Sequence, residues 1–250
     1  DDEGVLYLAW IDGRNLANNG DVYFAKSTDN GATISANVMV NNPGSAGVTA
    51  SQHKPAIAVY EDMVYISFSD RRLGEDFGDY RAYLSVSSNG GGSFTSETLL
   101  GGNDFTCKFH DLTVSPTGKL FIGLCSSINN LWNVYIQESN DGGTSFSEAY
   151  SLNDNTTPTF EFSDLRIVTN ELGELFALWK DNREGADDYN LYFTRTDIGS
   201  EISSIVAENE INIYPNPASQ TVSIKVSETN SDFELCITNM QGQVVYRESF

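Results

Sequence analysis

Three stretches of the 250-residue chain place an aromatic residue, an aspartate and an arginine at alternate positions: Trp10-Ile11-Asp12-Gly13-Arg14, Phe68-Ser69-Asp70-Arg71-Arg72 and Trp179-Lys180-Asp181-Asn182-Arg183. Nine residues after each aspartate comes a further polar residue, Asp21, Asp79 or Asn190. A guanidinium offers a rigid fork of donors that grips a carboxylate through two parallel hydrogen bonds, so Arg14, Arg72 and Arg183 are candidate ligand-binding residues for an anionic group. The same fork can close instead on an aspartate of its own or the next repeat. Recurrence at equivalent positions favours that framework role, because a single pocket has no use for symmetry. A related stretch has lost the set, carrying Leu124, Ser126 and Ile128 in the corresponding places.

Other chemistry is sparse. Three cysteines are too few for a disulfide framework, and none lies in a Cys/His cluster with metal-ligand spacing. The acidic stretch Gly74-Glu75-Asp76-Phe77-Gly78-Asp79 lacks the ligand spacing of an EF-hand loop and reads as acidic surface. No metal and no cofactor is expected. The net charge of −21, from 14 Lys+Arg against 35 Asp+Glu, argues against nucleic acid or an anionic membrane as partner, and no apolar run is long enough for a spanning helix.

The elements that must position these residues are strands. Gly and Tyr are plentiful and short alternating runs recur, which favours an all-β fold. Leu6-Tyr7-Leu8-Ala9-Trp10, Val64-Tyr65-Ile66-Ser67-Phe68, Leu120-Phe121-Ile122-Gly123-Leu124 and Leu175-Phe176-Ala177-Leu178-Trp179 align as one repeated strand. Each is followed by a second: Val22-Tyr23-Phe24-Ala25, Ala82-Tyr83-Leu84-Ser85, Val134-Tyr135-Ile136-Gln137 and Leu191-Tyr192-Phe193-Thr194. Three of the four enter a turn of common design, built on Ser27, Asp29 and Gly31, on Ser87, Asn89 and Gly91, and on Ser139, Asp141 and Gly143, and closed by Ile34, Phe94 or Phe146. In such a turn the Asp or Asn bonds back to its own loop backbone, the glycine takes a positive φ, and the apolar residue pins the turn to the sheet.

This Ser-x-Asp-x-Gly-x-Ser/Thr-aromatic pattern resembles the Asp-box, or BNR repeat, of sialidase-like β-propellers, with three copies at blade-sized spacing. The resemblance implies four blades over residues 1–204. The first begins at its second strand, and the fourth ends in a decayed box, Thr196-Asp197-Ile198-Gly199. A missing outer strand there suits the final blade of a ring that borrows a strand from the N-terminus.

From residue 205 the texture changes. Tyr214-Pro215-Asn216-Pro217, followed by alternating runs and by Asn239-Met240-Gln241-Gly242-Gln243-Val244-Val245, resembles the C-terminal sorting domain of the Bacteroidetes type IX (Por) secretion system. Residues 205–250 are therefore expected to be a β-sandwich sorting domain, cut short because that family's closing strand and basic tail are absent. The chain opens on Asp1-Asp2-Glu3-Gly4 without a basic and apolar leader, which suits a trimmed precursor or a piece of something longer.

The resemblances imply a secreted or surface-displayed protein whose partners are the type IX machinery and a carbohydrate or cell-surface glycoprotein. Function then divides between a binding propeller and an exo-α-sialidase or related glycoside hydrolase whose catalytic residues lie partly in missing blades. Asp111 and Asp164 each precede a leucine at the head of a strand that a propeller places by its central channel, and His110 adjoins Asp111. These three are the catalytic candidates; a strand-end aspartate can equally accept hydrogen bonds from the next blade. Trp132 is a candidate for stacking on a sugar ring, or fills the gap between blades. The early Arg-Ile-Pro motif of sialidases does not occur; Leu165-Arg166-Ile167-Val168 comes closest, and no tyrosine is assignable as a nucleophile. Cys107 and Cys125 sit on strands joined by Ser115-Pro116-Thr117-Gly118, with position 107 expected to face about 126. That pairing would bring two thiols together in an oxidising compartment and allow a disulfide, leaving Cys236 free.

Overall fold

A computed structural model of the protein describes residues 4–14, 20–42, 52–72, 80–103, 105–128, 131–153, 162–183, 189–196, 211–214, 223–226, 234–238 and 244–249. The acidic loop 74–79, the linker 199–204, the decayed box at 197–199 and the sorting-signature segments 215–219 and 239–243 lie outside them. The chain divides into two compact units, Asp1–Ile198 and Gly199–Phe250, and among the described residues all regular structure is β.

The first unit is a run of antiparallel sheets in chain order. Strands β1 (Leu6–Asp12), β2 (Asp21–Ser27) and β3 (Val38–Met39) form the first. The second is β4 (Gln52–Tyr60), β5 (Met63–Asp70), β6 (Arg81–Ser87) and β7 (Thr98–Leu99). The third is β8 (Thr106–Val114), β9 (Leu120–Ile128), β10 (Leu131–Ser139) and β11 (Tyr150–Ser151). The fourth is β12 (Phe162–Thr169), β13 (Leu175–Asp181) and β14 (Asn190–Thr196). The end sheets have three described strands each. In the second unit, β15 (Ile211–Tyr214) pairs with β16 (Ser223–Val226), and β17 (Glu234–Thr238) with β18 (Val244–Ser249).

Strand alternation turns each sheet into a two-faced plate. The forward face of one sheet packs on the backward face of the next, giving three apolar layers. Phe24 and Val22 meet Val64, Ile66 and Phe68 in the first layer. Tyr65 and Leu84 meet Leu112, Leu120 and Ile122 in the second. Phe121, Val134 and Ile136 meet Leu165, Leu175 and Trp179 in the third. Each fully buried side chain of this size contributes roughly 1.5–3 kcal/mol.

The three repeated turns share one hydrogen-bond pattern. The buried Ser27 hydroxyl donates to Asp29 Oδ1 at 2.7 Å and accepts from the Gly31 N–H at 2.8 Å. Ser87 and Ser139 do the same with Asn89 and Gly91 and with Asp141 and Gly143. The Asp or Asn Oδ1 then accepts from the N–H of Thr33, Ser93 or Ser145 at 2.8, 3.0 and 2.9 Å. Gly91 has φ +88°, and a Cβ there would lie 2.0 Å from a ring carbon of Phe24 on the preceding sheet.

The cysteines correct the sequence expectation. The register does pair Cys107 with Ser126, but Cys125 then pairs with Phe109 across a bulge. Neighbouring positions on β9 point to opposite faces, so Cys107 packs in the second layer and Cys125 in the third. Both thiols are free and buried, and burial pushes both above the usual thiol range. The expected disulfide does not form, because the sheet itself separates the two sulfurs.

Two outcomes follow for stability. Gly91→Ala should lower unfolding stability by about 3 kcal/mol or more, from positive-φ strain plus overpacking against Phe24. Gly31→Ala, whose Cβ would meet only Leu6 at 3.3 Å, should cost about 1 kcal/mol; urea unfolding of both variants checks the difference. Hydrogen bonds from Thr33 and Ser27 hold Asp29 at about 2, and those from Ser145 and Ser139 hold Asp141 at about 2, against an ordinary 3.8. Their folded-state pKa values are depressed, so this support is complete above about pH 4 and is lost as pH falls toward 2. Unfolding midpoints should drop across that window, and Asp29→Asn with Asp141→Asn, copying the Asn89 turn, should flatten the drop.

Candidate functional site

The strand ends opposite the serine turns carry the Asp-x-Arg motifs. Asp12 pairs with Asp21 where β1 meets β2, Asp70 with Arg81 where β5 meets β6, and Asp181 with Asn190 where β13 meets β14. Each motif builds a closed clamp. Arg72 Nε donates to both Asp70 oxygens at 3.0 and 2.8 Å, and its guanidinium carbon lies 3.8 Å from the Tyr83 ring centroid. Arg183 repeats this on Asp181, with Nε at 3.0 Å from both oxygens and the Tyr192 centroid at 3.8 Å. Arg14 donates to Asp12 and lies 4.3 Å from the Tyr23 centroid, and this hydrogen bond holds the Asp12 carboxyl well below the usual range. The Trp179 indole completes its clamp by donating to Asp181 Oδ2 at 2.9 Å. The structure thus engages all three arginines with the carboxylate two residues away, and does not bring them together in one pocket.

The innermost strands assemble the other candidates. β4, β8 and β12 lie side by side and each bulges near the same end: β4 between His53 and Ala56 and β12 between Ser163 and Arg166 at equivalent register positions, and β8 one residue pair further along, between Cys107 and Phe109. Two bulge residues without a glycine's freedom take left-handed backbone, Lys54 at φ +50° and Asp164 at φ +55°. Bulges re-aim side chains next to functional sites, and strain of this kind is kept only where surrounding structure enforces it. Between the bulges lies a cavity of about 340 Å³ lined by Lys54, Phe109, His110, Asp111, Asp164 and Arg166, with adjoining residues of the same strands.

The sequence candidates His110, Asp111 and Asp164 therefore share one cavity wall. His110 is 4% exposed. Asp111 Oδ2 accepts from the Ile167 N–H of the neighbouring sheet at 2.9 Å. Burial raises the Asp111 carboxyl above its ordinary range, against the opposing effects of that hydrogen bond, the Leu112 N–H and Arg166. Opposite Asp111 on β9 stands Gly123, where a Cβ would lie 2.9 Å from Leu165 and 3.1 Å from Ile167; its absence lets β12 approach closely. Lys54 Nζ lies 4.2 Å from the Phe109 centroid, which fixes a cation on the rim. Sequence reasoning missed Lys54 and Phe109. The one signal was Pro55, which cannot donate to a ladder and so marks a bulge within an otherwise apolar run. Trp132 does not line this cavity; it packs against the third layer.

Among the described residues no group of three His, Cys, Asp or Glu side chains is spaced to hold a metal ion, and no helix is long and apolar enough to cross a membrane.

Comparison with known proteins bears on both units. Residues 212–250 match the secretion system C-terminal sorting domain. That domain indicates export, with the protein secreted or held at the cell surface. No curated protein matches the sequence. Among solved structures, Hadza microbial sialidase Hz136 is similar with a TM-score of 0.54 and 16% identity, over 77% of this chain and 42% of that one. A Trypanosoma rangeli sialidase in complex with 2,3-difluorosialic acid also scores 0.54, at 14% identity, over 77% of this chain and 34% of that one. The likeness is one of fold, an all-β run of antiparallel sheets similar to part of these sialidases, and the chain spans about two fifths or less of their length.

The clamps differ in cover: the Arg72 and Asp70 side chains are 13% and 0% exposed, those of Arg14 and Asp12 46% and 21%. Arg72→Ala leaves a buried carboxylate uncompensated and should destabilise by about 3 kcal/mol, while Arg14→Ala should change stability little. Thermal unfolding of the two variants side by side is the check.

Proposed function

We propose that the protein is an exported glycan-binding module and that the cavity between the innermost strands receives the sugar. The observation that carries this reading is the convergence of Lys54, His110, Asp111, Asp164 and Arg166 on one cavity. Acceptors, donors and the Phe109 ring stand together there, as a saccharide needs for hydrogen bonding on its edge and apolar contact on its face. The repeat arginines contribute to the frame, since each is closed on its own aspartate. Export to the cell exterior places the cavity where glycans are met.

A second reading, a glycoside hydrolase of exo-α-sialidase type, is favoured by one observation. Asp111 is raised by burial and shares its cavity with a second carboxyl, Asp164. Hydrolysis needs an acid that holds its proton near neutrality and a second carboxyl-type group across the scissile bond. The solved sialidases lend the reading their fold.

Calorimetric titration of the chain with sialyllactose and a panel of neutral oligosaccharides tests both. Binding of one panel member, weakened tenfold or more by Asp164→Asn and by Lys54→Ala but unchanged by Arg183→Ala, is the expected result. No binding by any panel member would sink the module reading. Hydrolysis of a fluorogenic sialoside that Asp111→Asn abolishes would establish the second.

A further inference from the structure

Resting on the reading of the cavity as a sugar site, we propose that it selects a zwitterionic saccharide, a sugar carrying a free ammonium and an acidic group, with the ammonium on Asp164 and the acid on Lys54. His53 pairs with Ser69 and Ser163 with Lys180, while Ala56 pairs with Ser67 and Arg166 with Leu178. Lys54 and Asp164 are therefore the same bulge position in the second and fourth sheets, and both take left-handed backbone, φ +50° and +55°. Glycine adopts that backbone freely, whereas a side chain there is held against strain. The backbone recurs, as framework does. The side chain changes from an ammonium to a carboxylate, as the lining of a site does.

β8 lies between β4 and β12, so the two charges flank it and line the one cavity. Both reach the Cys125 thiol, which stands opposite Phe109 on β9: burial raises it first, Cys107 and Asp164 raise it further, and Lys54 lowers it. The charges nearer the middle of the cavity are tied into the frame. Asp111 accepts from the Ile167 N–H at 2.9 Å, and Arg166 donates from Nη1 to the Leu165 carbonyl at 2.7 Å. Burial raises the Asp111 carboxyl, and Arg166 is among the groups that oppose the rise. Lys54 and Asp164 keep capacity for a ligand. An ammonium resting on the Phe109 ring face still offers N–H donors, and a carboxylate accepts at about four positions.

A ligand with one kind of charge meets attraction on one flank and repulsion on the other. An anionic sugar also faces a chain of net charge −21, and a cationic one faces Lys54 and Arg166. A zwitterion satisfies both flanks. The cavity volume of about 340 Å³, at the small end of ligand sites, admits a mono- or disaccharide. Its charges then fix which end of the sugar enters on which side, since turning the ligand round sets like charges together.

Calorimetric titration of the chain at about pH 6, below the range of an amino group, tests this with disaccharides of glucosamine and glucuronic acid: one with amine and carboxyl free, one with the amine acetylated, one with the carboxyl methylated, and one with both masked. The zwitterion should bind about tenfold tighter than either singly masked form, since each mask removes one charge-assisted contact. Asp164→Gly should erase the preference for a free amine and keep that for a free acid, and Lys54→Gly should do the reverse. Glycine suits φ +50° and +55°, so the unfolding midpoint should hold or rise, which separates lost recognition from lost folding. If either glycine disturbs the fold, Asp164→Asn and Lys54→Gln take their place. Equal binding of all the forms, or tightest binding of a singly charged one, overturns the proposal and leaves the sugar site standing. A preference that survives both substitutions overturns it too, because the charges that read the ligand then lie elsewhere. No binding by any form overturns it as well, and if the oligosaccharide panel also fails to bind, the sugar site falls with it.

Discussion

A ring carbon of Phe24 occupies, to within 2.0 Å, the place where residue 91 would carry a Cβ, and the packing of successive sheets depends on that exchange of side chain for backbone. The serine turn makes it possible. A buried hydroxyl ties the carboxylate or amide two residues on to the N–H four residues on, which fixes the loop so that its glycine backbone faces the previous sheet. The polar interior of the turn is satisfied locally, so its glycine backbone meets the previous sheet without leaving a buried polar group unpaired. An Asn serves as well as an Asp at the centre because one acceptor oxygen does the main work, the Ser93 and Ser145 N–H groups both reaching it at about the same distance, 3.0 and 2.9 Å.

Sheet packing of this kind sets the innermost strands side by side, and each of β4, β8 and β12 carries a bulge near the same end. The bulges open the cavity and turn unlike residues into it: a lysine from the second sheet, a histidine and aspartate from the third, an aspartate and arginine from the fourth. Repeats that are nearly interchangeable in their layers therefore diverge at the axis. Ala56, Asp111 and Arg166 occupy one repeat position, opposite Ser67, Gly123 and Leu178, and carry no charge, a negative charge and a positive charge. Asp111 also joins sheets through the Ile167 N–H, so the group best placed for acid chemistry is a structural strut as well.

The arginine clamps illustrate the opposite case, in which repetition marks architecture. Each holds a guanidinium between a carboxylate and a tyrosine ring of its own sheet, satisfying the aspartate at the strand end and covering the adjacent aromatic. The pairing compensates an aspartate whose charge would otherwise be left uncompensated at the strand end.

The repeats, the turn chemistry and the address at the C-terminal end were legible in the sequence, because each follows from local spacing: alternation sets faces, and a serine two residues before an aspartate sets a turn. The sequence posed clamp against ligand for the arginines, and the geometry shows each donating to the aspartate two residues before it. Three facts needed the tertiary structure. The Cys107 and Cys125 thiols point into different layers, since a residue's face depends on the parity of its register and not on its nearness in a hairpin. Lys54 and Arg166 join Asp111 and Asp164 because three bulged strands lie side by side, a juxtaposition of elements more than fifty residues apart in sequence. Leu6, Leu8, Leu191 and Phe193 read as core by pattern, yet lie exposed, because burial belongs to a pair of faces and pattern describes only one of them.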